Sequence, residues 1–300
     1  MAATPMSGEL LGAHVSTQGG VDRAPPRGAE IGATAIQLFT KTPNQWKEPV
    51  VGPELAASFR AALAASGLRC AVSHDSYLIN LASPDPALWE RSLDSFTREL
   101  ERCAALGLPY VVSHPGNFID DRDAGLARNV RGIAAALERV PGAVTVCLET
   151  TAGAGTALGR SFEELARLRE GLPPALQGRV AFCADTCHLY SAGYDLVGDF
   201  DRVWEAWDRL LGLDALRVLH LNDSKTPFAS RRDRHELIAE GSLGEAPFRR
   251  LMTDPRFAHA VKLLETPKGD DATATDRRML ARLRGYVPPA AAPAAAPAAR

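Results

Sequence analysis

The stretch Leu216–Gly241 reads LRVLHLNDSKTPFASRRDRHELIAEG. It opens on a short, partly β-branched apolar run that stops on His220, and a long polar loop follows. Within the loop Asp233 and His235 stand two residues apart, a spacing that puts both side chains on one side of extended backbone. The segment therefore brings three donors, His220, Asp233 and His235, to or just beyond the end of a strand. Carboxylate with imidazole is a ligand set suited to zinc, manganese or iron.

Working outward, the same arrangement recurs along the chain. Eight short apolar runs stand out: Leu10–Val15, Thr34–Phe39, Arg69–Ser73, Tyr110–Ser113, Val144–Leu148, Val180–Ala184, Leu216–Leu221 and Val261–Leu264. They are rich in Val, Ile, Leu, Cys and Phe with little alternation, as strands buried on both faces of a parallel sheet are. Between them, Glu54–Ser66, Ala87–Leu106, Asp123–Val140, Ser161–Glu170 and Asp201–Leu211 carry helical spacing. Ser161 to Glu164 fits a capping box, and Gly67, Gly107, Gly171 and Gly212 stand where left-handed helix ends belong. Pro25, Pro26 and Gly28 predict a first helix that is short or starts late.

Alternating βα units of this number predict a single (β/α)8 TIM barrel, α/β in class, over residues 9–287. Residues 1–8 are expected to be a flexible N-terminus. The Pro/Ala-rich stretch 288–300 has no large apolar residue to bury and is expected to be disordered.

In a parallel barrel all the strands' C-terminal ends open on one face. Here the runs end on His74, His114, Glu149, Asp185, His220 and Glu265, with His188 three residues after Asp185. With Asp233 and His235 this makes five imidazoles and four carboxylates around one pocket, from a chain with seven histidines. A single strand-end His is more often a hydrogen-bonded structural residue than a ligand, and a strand-end acid is often only a helix N-cap. Taken together, however, four carboxylates in one pocket would repel one another unless cations were present. Three divalent ions would leave a small positive excess, which suits an anionic phosphodiester.

The chain resembles the endonuclease IV family of apurinic/apyrimidinic (AP) endonucleases. The matching stretches are Gly12–Ser16, Leu38–Lys41, His74–Leu81, His114–Gly116, Glu149–Gly153, Asp185–His188, Ala192–Leu196, His220–Asp223, Asp233–His235 and Glu265–Thr266, in order along the chain. The resemblance implies a cluster of three zinc ions, with manganese or iron possible at some positions. His74, His114 and Glu149 would hold the first. Glu149 would bridge to a second, completed by Asp185, His220 and Glu265. His188, Asp233 and His235 would hold the third. That last group comes from residues beyond the strand ends, in loops, so its ion is expected to be the least buried.

The implied activity is hydrolysis of the phosphodiester 5′ to an abasic site in duplex DNA, leaving 3′-hydroxyl and 5′-deoxyribose phosphate ends. Trimming of blocked 3′ ends would accompany it. Glu149 and Glu265 are the expected catalytic carboxylates, one bridging metals and the other orienting or deprotonating the attacking water. An abasic nucleotide has no base to unpair, so its extrusion costs less than that of a normal one. Tyr77 and Leu78 are expected to enter the DNA stack at the lesion. Lys41, Lys225, Arg231, Arg232 and Arg234 are expected to meet phosphates. Members of the family often carry Arg two residues before the Trp of the second loop, whereas here Asn44 precedes Trp46. His14 is expected to support the site, His259 to sit at the opposite face, and Cys187 to stay unligated.

Composition narrows the classes. A formal net charge of -2 gives no global basic signature, so DNA contact must come from local basic residues or bound cations. Five cysteines without a C-x-x-C pair read as reduced, buried thiols. No signal-peptide pattern and no membrane-length apolar run occurs, so a cytoplasmic monomer, nucleoid-associated when acting on DNA, is expected. Two rival readings remain: a metal-dependent sugar isomerase or epimerase, and a non-catalytic binder of damaged DNA.

Overall fold

The computed structural model describes residues 8–288. Apart from Gly8 and Pro288, the expected N-terminal and C-terminal flexible segments lie outside the described residues.

The apolar runs form the strands they predict. The first strand, β1 (Leu11–His14), leads through a single-turn helix into α1 (Ala24–Glu30) and β2 (Ala35–Phe39). Then come α2 (Pro53–Ala65), β3 (Cys70–His74), α3 (Pro86–Leu106), β4 (Tyr110–Ser113), α4 (Arg122–Arg139) and β5 (Thr145–Glu149). The chain continues through α5 (Phe162–Glu170), α6 (Pro174–Gln177), β6 (Val180–Asp185), α7 (Thr186–Ala192), α8 (Phe200–Leu211) and β7 (Leu216–His220). A two-residue antiparallel ladder, β8 (Asp223–Ser224) with β9 (His235–Glu236), stiffens the long loop. Helix α9 (Ala246–Thr253), strand β10 (Val261–Leu264) and helix α10 (Ala272–Arg284) complete the fold. All eight long strands are parallel and close on themselves in the order β1-β10-β7-β6-β5-β4-β3-β2.

Strand parity decides what the barrel contains. Residues of one parity pack outward against the helices: Ile36, Val111, Val146, Leu148, Phe182 and Leu219 belong to that layer. Residues of the other parity point inward, where Ala35, Cys70, Val72, Val112, Cys147, Ala181, Cys183, Val218 and Leu263 fill the interior with small side chains. Three of the five cysteines are here, and all five are free and buried, as expected of structural thiols. Gly12 is required by the strand packing: a Cβ there would lie 1.6 Å from the Ala35 carbonyl oxygen.

The helices cover the outer layer with one apolar stripe each. In α8, Phe200, Val203, Trp204, Trp207 and Leu211 recur at helical spacing and are buried. Each such side chain contributes roughly 1.5–3 kcal/mol on burial. Helix α1 is short, as Pro25 and Pro26 in its first turn predict. The left-handed helix end holds at Gly107, with φ 78° and ψ 29°, and Gly67 also has a positive φ of 72°. Gly212 is a correction: its φ of 79° goes with ψ of 128°, because the chain leaves α8 in extended backbone toward the turn at Leu213–Ala215. Gly171 is a correction: its φ is -70°, because the chain continues into a tight turn toward Leu172 rather than reversing through a left-handed residue. The capping box is likewise half of what was expected. Ser161 Oγ accepts from Glu164 N, but the Glu164 carboxylate reaches the Gly159 and Arg160 amides instead of its own cap.

Candidate metal centre

The inward parity that fills the barrel with small residues continues one step further, and there the chemistry changes. Two residues beyond Val72, Val112, Cys147, Cys183, Val218 and Leu263 stand His74, His114, Glu149, Asp185, His220 and Glu265. The six donors thus form the inward rim at the C-terminal end of the barrel. Asp185 pairs with His220 across β6 and β7, while Glu149 stands opposite Cys183 and His220 opposite Leu263, so the register staggers them around the mouth.

Glu149 lies at the centre and is completely buried. Its Oε2 is 3.2 Å from both His74 Nε2 and His114 Nε2. Its Oε1 is 2.9 Å from His220 Nδ1 and 3.4 Å from His188 Nδ1. His220 Nδ1 is also 3.3 Å from Glu265 Oε2 and 3.9 Å from Asp185 Oδ2. At the mouth Asp233 lies between two rings, 3.2 Å from His188 Nε2 and 3.1 Å from His235 Nε2. Among the described residues five groups lie close enough to hold a cation. Three use the expected donors alone: His74, His114 and Glu149; Glu149, Asp185, His220 and Glu265; and His188, Asp233 and His235. Two others bring in Cys183 or Cys187. Within each, one ligand atom per residue lies within 4.8 Å of the others. All nine sequence-predicted donors are therefore brought together.

The surrounding hydrogen bonds fit bound cations. His74 Nδ1 donates to the Asp75 carbonyl at 2.9 Å, His188 Nδ1 to the Thr150 carbonyl at 2.8 Å, and His235 Nδ1 to the Glu265 carbonyl at 3.2 Å. A carbonyl only accepts, so in each neutral ring the hydrogen sits on Nδ1 and the Nε2 lone pair faces the group. His188 Nε2 and His235 Nε2 are buried and have no aligned hydrogen-bond partner, although Asp233 is close to both. Donors that crowd together without aiming at one another are arranged for a shared ion between them.

Asp185 serves two purposes with its two oxygens. Oδ1 caps α7 by accepting from His188 N at 2.9 Å, and Oδ2 accepts from Asn222 Nδ2 at 2.6 Å and faces His235. Helix α7 begins directly after β6, so His188 sits in a buried first turn and His235 in a short strand rather than in loops, which corrects that expectation. The third group is still the most open, because the Asp233 side chain is 52% exposed.

Electrostatics report the same crowding. Burial opposes charge on His74, but the hydrogen-bonded Glu149 carboxylate overrides it and lifts the pKa to about 10. Burial likewise opposes charge on His235, and Asp185 and Asp233 raise it to about 9. On His114 burial wins and the pKa falls. Burial would raise Glu149, but the rings of His114 and His220 hold it well below the usual carboxylate range. Cys187 is kept a thiol by burial, which pushes it up to about 11.

Other expected residues divide. Tyr77 is exposed beside the mouth, Leu78 is half-buried, and Arg231, Arg232, Arg234 and Lys225 are exposed on the loop that carries Asp233. Lys41 is a correction. It is buried, and its Nζ donates to Glu48 Oε1 and Ser95 Oγ, because Glu48 from its own loop folds back to meet it. His259 is at the opposite face, its Nε2 2.9 Å from the Leu216 carbonyl oxygen at the start of β7. His14 contacts Phe39 and Gln37. A pocket of about 280 Å³ adjoins the donors, lined among others by Tyr77, His114, Asn117, Gly153, His188 and Asp233.

Sequence reasoning missed Gln37 and Asn222. Gln37 is completely buried and touches His14, His220 and Glu265. Asn222 bridges Asp185 and the Glu265 amide. Parity is the signal that finds them: each is two residues beyond an inward neighbour, Ala35 or His220.

A family model described as a xylose isomerase-like TIM barrel matches residues 26–283. A probable endonuclease 4 of Chloroflexus aggregans is 46% identical over 281 residues, 92% of this chain and 97% of that protein. The chain belongs to the endonuclease IV family. A probable endonuclease 4 of Geobacter sulfurreducens is 47% identical over 270 residues, 88% of this chain and 90% of that one. The crystal structure of endonuclease IV from Thermus thermophilus superposes with a TM-score of 0.82 at 38% identity, covering 92% of this chain and 98% of that chain. A D-psicose 3-epimerase, at 17% identity and a TM-score of 0.62, shares the fold alone. Membership in the endonuclease IV family makes this chain a metal-dependent AP endonuclease, a nuclease of DNA repair. Among the described residues no helix is long and apolar enough to cross a membrane.

Proposed function

We propose that the protein hydrolyses the phosphodiester 5′ to an abasic site in duplex DNA, leaving a 3′-hydroxyl and a 5′-deoxyribose phosphate, and that it also trims blocked 3′ ends. The observation that carries this reading is the set of three donor groups sharing or adjoining Glu149, with the His188 and His235 Nε2 atoms buried on either side of Asp233 at the open end without an aligned hydrogen bond. The three groups would hold three divalent ions, zinc first, with manganese or iron able to occupy the same oxygen and nitrogen donors. When bound, the ions would supply Lewis-acid stabilisation of charge on the phosphoryl and leaving oxygens and make a water more acidic.

The chain's own residues do the rest. Glu149, buried and shared, fixes the spacing of the first two groups. Glu265, with its side chain 19% exposed, reaches the mouth; there it orients the attacking water and accepts its proton. The pocket of about 280 Å³ receives the sugar that has no base. Tyr77, exposed at its rim with Leu78 behind it, fills the gap left in the stack. Arg234, Arg231, Arg232 and Lys225 meet phosphates. Residues 9–287 act as one catalytic domain, working on DNA in the cytoplasm as a monomer.

A sugar isomerase or epimerase is less well supported, because the group His188, Asp233 and His235 has no task in that chemistry. A 5′- and 3′-labelled duplex with one abasic site tests the proposal. The expected result is a single metal-dependent nick on the 5′ side with a ligatable 3′-hydroxyl. Cleavage on the 3′ side, or none with all metals restored, would overturn it.

A further inference from the structure

Among the inward residues of the top layer, Gln37 alone is an amide, and its contacts have a direction that chemistry dictates. Gln37 Nε2 is 2.5 Å from Glu265 Oε1 and 3.0 Å from His14 Nδ1, and Gln37 Oε1 is 2.8 Å from His220 Nε2. A carboxylate oxygen has no hydrogen to give, so the amide NH2 must face Glu265. The carbonyl end then faces His220, and a carbonyl can only accept. His220 Nε2 must therefore carry the hydrogen, which leaves Nδ1 as the lone pair. Nδ1 is the atom that faces Glu149, Asp185 and Glu265. The second hydrogen of the NH2 falls to His14 Nδ1, so His14 is held neutral with its own hydrogen on Nε2.

We propose that Gln37 is the positioning residue of the middle cation group, setting the His220 tautomer and the orientation of Glu265 through one buried amide. The inference rests on the reading of Glu149, Asp185, His220 and Glu265 as a cation site. The other ligand histidines with an assigned outer hydrogen bond, His74, His188 and His235, use backbone carbonyls, which no substitution removes. His220 depends on a side chain, so its orientation is open to mutation. Gln37 is completely buried and does not line the substrate pocket.

The test uses the metal-loaded full chain and Gln37→Met, which keeps length and volume but neither donates nor accepts strongly. The first measurement is the rate at which a chelator extracts metal, and with it the metal content. The expected result is one class of ion extracted about ten- to a hundredfold faster in the variant, with the Michaelis constant for abasic DNA unchanged. The second is ¹⁵N NMR of the histidine rings in the wild type, which needs no folded variant. The expected spectrum shows His220 with hydrogen on Nε2 and Nδ1 coordinated. Equal extraction from both proteins, or a His220 ring coordinated through Nε2, would overturn the assignment of Gln37 alone. A wild type that binds no metal would overturn the cation reading and this inference with it.

Discussion

In the mechanism we propose, Glu265 is the residue on which the chemistry turns, and its neighbours make its replacement interpretable. Glu265→Gln keeps the shape and still reaches His220, so the fold should persist while kcat falls by about 10²–10⁴-fold, the usual weight of a general base. Single-turnover nicking alongside circular dichroism checks this, and undiminished nicking would remove Glu265 from the mechanism. Lys262 gives a residue-scale prediction away from the site. It is 6% exposed on the outward face of β10 and donates to the Phe257 carbonyl, and burial holds its pKa down at about 8. In the unfolded chain it titrates near 10.4. Between those values the unfolded state binds more protons, so this group makes stability rise with pH from about 8 to 10.4, and its penalty is full below 8. Lys262→Met should therefore gain most relative to wild type at pH 7, by at most about 3 kcal/mol, and lose that advantage toward pH 10. Urea unfolding at pH 7 and pH 10 would show it; a difference independent of pH would contradict it.

At the scale of elements, the loop after β2 is held by a buried charge network on α3. Arg102 donates to Thr40 Oγ1, Glu48 and Glu99, Lys41 pairs with Glu48, and Glu99 accepts from Ser73, the residue before His74. Removing the guanidinium would strand Glu99, which is 1% exposed, and Glu48 beside Lys41 alone. Arg102→Met should cost about 3–5 kcal/mol of stability. The amides of residues 41–48 should then exchange hydrogen faster than the rest of the barrel. Exchange confined to its wild-type rate there would show that the loop has other anchors. The network also explains what was and was not legible in the sequence. Apolar runs and helix stripes depend on near neighbours, and all eight strands and the five helices read from spacing appear where their patterns place them, whereas α10 was not read. The nine donors were legible because each ends or directly follows a barrel strand or lies in the connection beyond one. Lys41 was not, because its burial depends on Glu48, Ser95 and Arg102, which only the closed barrel brings together. Gln37 was missed because one amide inside Ala35–Phe39 looks like an interruption of an apolar run until strand parity is known.

For the whole molecule, the site is a concentration of like groups that folding alone does not favour. Four carboxylates and five imidazoles are drawn from the segments between β3 and the end of β10 into one site. The unfolded chain has no such arrangement, so cation binding adds directly to folding stability. Stripped protein should melt at lower temperature and recover with added zinc; a free metal concentration a thousand times the dissociation constant contributes about 4 kcal/mol per site. Calorimetry of the stripped and reloaded chain measures this, and identical melting would mean the donors hold nothing. With a formal net charge of -2, long-range attraction to DNA is local to the mouth. Affinity for abasic duplex should still weaken with salt, with a slope of about -0.9 for each phosphate contacted. A flat dependence would remove the exposed arginines from the interface.

The ring of donors at the strand ends also says where this chain can tolerate insertions and deletions. Because inward and outward positions alternate, deleting one residue inside a barrel strand would exchange the polar tip for a neighbour of the opposite parity. In β5 that would bring Thr150 to the inward place of Glu149, and in β7 Leu221 to the place of His220. Length changes between relatives should therefore gather in the connections at the base of the barrel and be absent from the strands, whatever else their sequences have exchanged.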